Sequence, residues 1–392
     1  MADRIILHCD LNNFFASVSL LFNPTLKDLP VAVCGDSENR HGIVLAKNNI
    51  AKSFGVKTAE AIFEAKRKCP NLVTLPPLYD EYEKYSKKAR QIYERYTDMV
   101  EPFGIDECWL DVTGSTVLFG DGLEIANKIR RDIKRELGIT ISVGVSFNKI
   151  FAKLGSDMKK PDAVTVISKE NFKEKVWPLP ISDLLFVGKR TADKLHGIGV
   201  STIGDITLCD DKTLNRILGK NGNDLKKYAL GLDDSPVTPI TRNSKPKSVG
   251  KSTTTGKDFE TNEQVWSAFL GFAEDIAETL RNHDLYSFGV QVHIRTSSLA
   301  VKEFSKTFDT STNSSLTLAK RGFELFKENY HFAEPLRSVG LRAISLKGDG
   351  TAEQIDMFGD CESTKKTEQV ENSIWSVRKK FGNNSVKRGR IL

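Results

Sequence analysis

The sequence predicts an α+β protein of several domains, with a βαβ-type core and a second α+β domain behind it. Three observations lead there. Short apolar runs next to acids read as buried strands: Ile5-Ile6-Leu7-His8-Cys9 before Asp10, and the stretch from Phe103 to Val112 around Asp106 and Glu107. These runs flank an inserted unit, so strands of one sheet come from distant parts of the chain. Past a linker with three prolines (234–247), a second set of strands and helices begins. With 392 residues the chain exceeds one ordinary core, and roughly two to four domains are expected.

In order, residues 1–25 read as a strand and then a helix from Phe14 to Leu21, entered through Asn12 or Asn13, both good N-caps. Residues 26–77 form a small unit with strands at Val31–Cys34 and Gly42–Ala46 and helices near 48–54 and 59–68, ended by Pro76-Pro77. A long helix is expected over 79–98, then the hairpin with Asp106 and Glu107. A helix over 121–136, an alternating strand Thr140–Val145 and a helix over 148–157 follow. Around 168–233 the pattern changes to short helices with glycine turns. The run Phe186-Val187-Gly188-Lys189 to Leu195, then Gly197-Ile198-Gly199, reads as helix, glycine hairpin, helix. Beyond the linker, strands near 249–257, 288–297, 300–309 and 336–346 alternate with helices near 262–282 and 314–328. Residues 347–392 read as a flexible polar tail.

Composition narrows the class. No apolar run approaches the roughly 18 residues of a membrane span, and the N-terminus lacks a signal peptide's basic head and apolar middle. The six cysteines are scattered without a C-x-x-C pair, which fits a reduced cytoplasm and argues against structural zinc; Cys9 and Cys108 read as small buried hydrophobes. A net charge of +6 points weakly to a polyanionic partner.

Carboxylates at the ends of neighbouring central strands repel strongly. The arrangement that tolerates them holds cations between them, and hard divalent cations take oxygen ligands. Asp10, Asp106 and Glu107 are therefore the candidate Mg²⁺ site. An isolated Asp-Glu pair would instead read as a solvated turn.

In the second domain the strands carry Lys251, Lys257, Arg295, Lys302, Lys306, Arg337 and Arg342 against Glu303 and Asp309, while the helix over 262–282 is mostly acidic. In Gln291-Val292-His293-Ile294-Arg295 the polar residues share one face. A sheet with a polar, basic face suits a phosphate backbone; a merely solvated face is the plainer alternative.

With these pieces in line, the chain resembles the Y-family of DNA polymerases, in the bacterial DNA polymerase IV-like branch that also includes UmuC-like proteins. The matching segments are Asp10-Leu11-Asn12-Asn13-Phe14-Phe15-Ala16-Ser17-Val18, Ile105-Asp106-Glu107 with Leu110-Asp111-Val112-Thr113, Ser142-Val143-Gly144-Val145-Ser146 with Asn148-Lys149, and Ser156-Asp157-Met158-Lys159-Lys160-Pro161. The resemblance implies a right-hand polymerase: a catalytic palm (1–25 and 78–167), small fingers (26–77), a helix-hairpin-helix thumb (168–233) and a DNA-binding little finger (248–346). It implies error-prone, template-directed DNA synthesis past lesions, with Asp10, Asp106 and Glu107 holding two Mg²⁺ ions and no proofreading exonuclease.

Further roles follow from the same resemblance. Phe15 is the steric gate that excludes a 2′-hydroxyl. Phe14, Phe15, Asn49, Lys52 and Lys160 form the deoxynucleoside triphosphate site. Asn49 and Lys52 stand where the family has tyrosine and arginine, and Lys52 lacks the planar two-pronged grip; Lys47 reads equally as a substitute or as a solvated lysine. Gly188 with Lys251, Arg295, Lys302, Lys306, Arg337 and Arg342 would meet primer-template DNA, although the hairpin has one glycine of the usual two. In the tail, Gln354-Ile355-Asp356-Met357-Phe358 resembles the peptide that docks on the sliding clamp (β subunit), with Gln354, Met357 and Phe358 as anchors. Arg378, Lys379, Lys380, Lys387, Arg388 and Arg390 would add nonspecific DNA attraction or only solubility. A monomer in the bacterial cytoplasm, at the nucleoid when active, is expected. The alternatives are another two-metal palm enzyme (a nuclease or nucleotide cyclase) and a catalytically silent DNA-binding relative.

Overall fold

The computed structural model describes residues 4–36, 42–239, 245–348, 361–382 and 385–386, with side chains in the last helix from Gln369 onward. The chain forms two compact units, one of residues up to 35 with 43–243, the other running from 244 to the C-terminus. Among the described residues no helix is long and apolar enough to cross a membrane.

The first unit runs β1 (Ile6–Leu11), α1 (Phe14–Phe22), β2 (Val31–Cys34), β3 (Val44–Lys47), α2 (Asn49–Ser53), α3 (Ile62–Lys68), β4 (Val73–Leu75), α4 (Tyr79–Tyr93), β5 (Val100–Pro102) and β6 (Glu107–Asp111). It continues with α5 (Thr116–Phe119), α6 (Gly122–Leu137), β7 (Ile141–Ser146), α7 (Lys149–Met158) and β8 (Val164–Ile167), and closes with the short helices α8 (Phe172–Val176), α9 (Lys189–His196), α10 (Ile203–Leu208), α11 (Asp211–Leu218) and α12 (Lys220–Ala229).

Its main sheet has the order β5-β6-β1-β7-β8. β1 lies antiparallel between β6 and β7, and β7-α7-β8 is a parallel βαβ unit. Every residue of β1 is buried, so both faces of the sheet are covered there. By strand alternation, Leu7, Cys9 and Leu11 join the core built with α1, α4 and α6, leaving His8 and Asp10 on the opposite face with Ala152 of α7. α7 can lie close to that face because Gly144 has no side chain: a Cβ there would fall 1.9 Å from the Ala152 carbonyl oxygen. A second sheet, β3-β2-β4, completes the inserted unit. Its strand β4 is absent from the sequence-based expectation, as is β8 of the main sheet. At the start of α1, Asn13 takes the N-cap position with φ +48° but makes no capping bond. Asn12 instead ties β1 to Ser142 (2.9 Å) and to the Asp162 N–H (2.8 Å).

The second unit runs β9 (Val249–Phe259), α13 (Asn262–Asn282), β10 (Leu285–Thr296), β11 (Val301–Thr312), α14 (Ser315–Asn329), β12 (Leu336–Gly348) and α15 (Cys361–Phe381). Its antiparallel sheet has the order β11-β10-β12-β9, and α13 and α14 pack on one face through Val265, Phe269, Ile276, Phe326, Val292, Ile294 and Leu341.

The tail corrects the expectation of a flexible polar segment after 346: β12 extends to Gly348, and α15 is a docked helix of 21 residues. Glu371, Ile374, Trp375 and Arg378 share one face at helical spacing, a signal hidden by polar flanks. Glu371 is 5 % exposed and caps the next helix over. Its carboxylate accepts from the Ser315 N–H (2.8 Å) and hydroxyl (2.7 Å), the Leu316 N–H (3.1 Å) and the Arg281 guanidinium (2.8 Å). A negative charge over the first turn of α14 also meets the positive end of the helix dipole. Those bonds hold Glu371 below the usual carboxylate range although burial works the other way. Arg378 pairs with Glu274 of α13 at 3.1 Å. Glu371→Ala should cost about 3–5 kcal/mol, because Arg281 is left buried without its partner. Thermal unfolding and hydrogen exchange check this, with α15 amides expected to lose protection first.

Candidate active site

Asp10 is the last residue but one of β1 and stands opposite Glu107 in the antiparallel pair, so both side chains leave one face of the sheet. Asp106 precedes them at the hairpin tip, its carbonyl accepting from the Leu11 N–H at 3.1 Å. α7 crosses this face and supplies cations. Lys153 Nζ lies 2.9 Å from Glu107 Oε1, 3.3 Å from Asp10 Oδ2 and 3.2 Å from Asp157 Oδ2. Lys160 Nζ lies 2.8 Å from Asp10 Oδ2 and 2.9 Å from Asp157 Oδ1. Behind Glu107, the buried His8 bonds through Nδ1 to Ser156 Oγ (2.8 Å), with Nε2 3.5 Å from Glu107 Oε2.

The electrostatics record this crowding. Burial, then Asp10 and Glu107, push Asp106 up to about 6. Burial also raises Asp10, which Lys160 and Lys153 only partly offset. For Glu107 burial acts upward too, but His8 and Lys153 outweigh it and hold it at about 2. The donor chemistry suits Mg²⁺, three carboxylates being the hard ligands it prefers. As the side chains are placed, no three His, Cys, Asp or Glu groups among the described residues gather closely enough to hold one ion. Glu107 is drawn to Lys153 and Asp10 to Lys160, so two ammonium groups carry the charge that a divalent cation would bring.

The three carboxylates share a cavity of about 330 Å³ with Phe15, Lys160, Lys47 and Thr58. Phe15 is held flat against Tyr82, with centroids 4.0 Å apart and planes 10° off parallel, and the Tyr82 hydroxyl is bonded to Ser19 at 2.7 Å. Phe14, expected in the triphosphate site, also lines this cavity, although it is 3 % exposed and its ring belongs to the hydrophobic core. Asn49 and Lys52 are exposed on α2 and do not line this cavity; Asn49 Oδ1 accepts from Asn13 Nδ2 at 3.0 Å. Lys153, His8, Ser156 and Asp157 were missed from sequence. Within α7, Lys149, Lys153 and Ser156 recur at four- and three-residue steps and so share one face, but the sequence does not say what that face covers.

Two further surfaces concern nucleic acid. Gly188 is the N-cap of α9, but the element before it is one 3₁₀ turn, Ile181–Asp183, rather than the expected helix. Phe186 adopts φ +71°, a left-handed conformation that strains a bulky residue and is free for glycine. In the second unit, Arg295, His293 and Gln291 of β10 and Arg342 of β12 lie on the face away from the helices. The expected single basic face is not met by the other lysines. Lys251 is paired across from buried Leu341, and Lys302 and Lys306 across from Ile294 and Val290, so all three share the helix side. Lys251 bonds Asp275, Lys306 bonds Glu328 (3.1 Å), and Lys302 lies over the Tyr330 ring. Arg337 sits at an irregularity of β12. Gln354, Met357 and Phe358, with Lys387, Arg388 and Arg390, lie outside the described residues.

Comparison with known proteins agrees with this geometry. The impB/mucB/samB family matches residues 9–157, its C-terminal domain 246–357, and the IMS family HHH motif 169–200. The chain is 49% identical to DNA polymerase IV of Acetivibrio thermocellus over 99% of its own length and 98% of that protein's. The chain belongs to the Y-family of DNA polymerases, in the DNA polymerase IV branch. DNA polymerase IV 1 of Bacillus subtilis is 35% identical over 99% of this chain and 93% of that one. A solved Y-family DNA polymerase chimera of Dbh and Dpo4 superposes with a TM-score of 0.78, at 25% identity, over 88% of this chain and all of that one. The fold is accordingly that of a right-hand polymerase, and the family's enzymes are DNA-directed DNA polymerases.

Asp106 yields a pH-dependent expectation. Its pKa is raised in the folded state, so folding takes up a proton and stability falls as pH climbs from about 4 to 6. In metal-free buffer at pH 8, Asp106→Asn should therefore stabilise the protein by about 1–3 kcal/mol. In denaturant unfolding the gain should vanish below pH 4.

Proposed function

We propose that this chain is an error-prone translesion DNA polymerase that extends a primer by template-directed nucleotidyl transfer without proofreading. The observation carrying the reading is that Asp10, Asp106, Glu107, Phe15 and Lys160 line one cavity. Family membership supports the substrates, primer-template DNA and deoxynucleoside triphosphates.

Asp10, Asp106 and Glu107 are the residues that would hold two Mg²⁺ ions, which when bound lower the pKa of a primer hydroxyl and neutralise charge on the reacting phosphate. The chain's own groups prepare that task. The buried carboxylates keep a high negative charge density at the strand ends, and Lys153 and Lys160 hold it in place until substrate arrives. Lys160 then has phosphate oxygens as an alternative partner to Asp10. His8, backed by Ser156, fixes the far side of Glu107. Phe15, clamped on Tyr82, presents a rigid ring to the sugar and leaves no room for a 2′-hydroxyl.

The remaining parts are read as follows. Residues 1–25 and 78–167 act as palm, 26–77 as fingers, 168–233 as thumb and 248–346 as little finger. Gly188 at the start of α9 offers backbone N–H groups to a DNA phosphate, and Arg295 and Arg342 on the open sheet face attract the backbone. Gln354, Met357 and Phe358 dock the chain on the sliding clamp, which raises its local concentration at primer ends. The enzyme works as a monomer in the cytoplasm.

Primer extension with and without Mg²⁺ tests the reading. Asp10→Ala and Glu107→Ala should each lower kcat by about 10³-fold or more, with primer-template affinity retained. Hydrolysis or cyclisation in place of extension would point to another palm enzyme and overturn it. Phe15→Ala should relax the preference for deoxyribonucleotides by about tenfold or more, read as the ratio of kcat/KM for the two sugars.

A further inference from the structure

We propose that Lys47, with Thr58 beside it, is the cation that grips the triphosphate of the incoming nucleotide in this chain, in place of residues 49 and 52; the inference rests on the polymerase reading above. Lys47 and Thr58 line the cavity that holds the three carboxylates, whereas Asn49 and Lys52 do not. Charge separates Lys47 from its neighbours. Lys153 and Lys160 are already paired with carboxylates. The ammonium of Lys47 donates to the neutral Thr58 Oγ1 at 3.0 Å, and among the described residues no carboxylate lies within ion-pair distance of it. Glu60 acts on Lys47 only from a distance and is itself paired with Lys68.

Burial lowers the pKa of Lys47, and the nearby charge of Lys52 adds to this. A partly desolvated cation next to another is stabilised by an arriving anion. Its backbone is fixed by pairing of β3 with β2, Lys47 opposite Ala32, so the site is carried on a strand rather than a loop. A compact ammonium suits phosphate oxygens as a point charge, with the Thr58 hydroxyl as a second donor. The cavity thus has carboxylates suited to cations and an ammonium suited to a polyphosphate tail.

The test uses the full-length enzyme on a dideoxy-terminated primer-template. Nucleotide binding is read by fluorescence titration, and kcat, KM and inhibition by pyrophosphate are measured on an extendable primer. Lys47→Met keeps the stem and removes the charge. It should raise both Kd and KM for the nucleotide about 10- to 100-fold, as expected for losing a charged hydrogen bond. Pyrophosphate inhibition should weaken in parallel, primer-template affinity should change by less than about twofold, and Lys47→Arg should recover most of the loss. Arg67→Ala, on the exposed side of α3, is the control for general charge loss. Unchanged Kd and KM in Lys47→Met, or a larger rise in Lys52→Ala, would overturn the proposal while leaving the polymerase reading intact. If the unmodified enzyme extends no primer, the polymerase reading itself falls and this proposal falls with it.

Discussion

The structure turns on one electrostatic problem: three carboxylates gathered where two central strands end. Like charges in a buried setting are tolerated only with counter-ions, and α7 and the turn after it carry them as Lys153 and Lys160. That helix can bring Lys153 and Ser156 against the sheet because Gly144 lets backbone touch backbone. His8, Glu107 and Asp10 then fall on the covered face through alternation in β1 and β6. Packing and charge placement are therefore one arrangement, and a bulkier residue at position 144 would disturb both.

Around that centre the molecule divides rigid from adaptable parts. The ring of Phe15 lies flat on Tyr82, whose own hydroxyl is tied to Ser19, so it belongs to a stack that cannot easily yield. The lysines, by contrast, have long stems and more than one anionic partner within reach, Lys153 facing Asp10, Glu107 and Asp157, and Lys160 facing Asp10 and Asp157. The second unit offers a sheet face with two arginines, a histidine and an acid, Glu303, which is engaged by His293 at 3.2 Å.

Much of this was legible in the sequence because the signals were local. Long alternating or helical periods placed the helices over 262–282 and 315–329 and the four strands of the second unit within a few residues. The acids at strand ends marked the face that carries the cavity, and Cys9 and Cys108 are buried as read. What escaped depended on facing. β11 is an edge strand whose residues are mostly exposed on both sides, so alternation could not tell that Lys302 and Lys306 lean toward the helices. Lys153 escaped because a lysine inside a helix carries no mark of what the helix covers. Which ammonium groups pair with the carboxylates could not be read either, since it depends on what α7 and the turn after it face.

The docking of α15 moves the physical edge of the second unit. A fragment ending with the sheet at Gly348 would keep all four strands and both covering helices, yet Arg281 and the Ser315 and Leu316 N–H groups that open α14 would lose the Glu371 carboxylate. The packed body of the second unit therefore reaches past its sheet to take in α15.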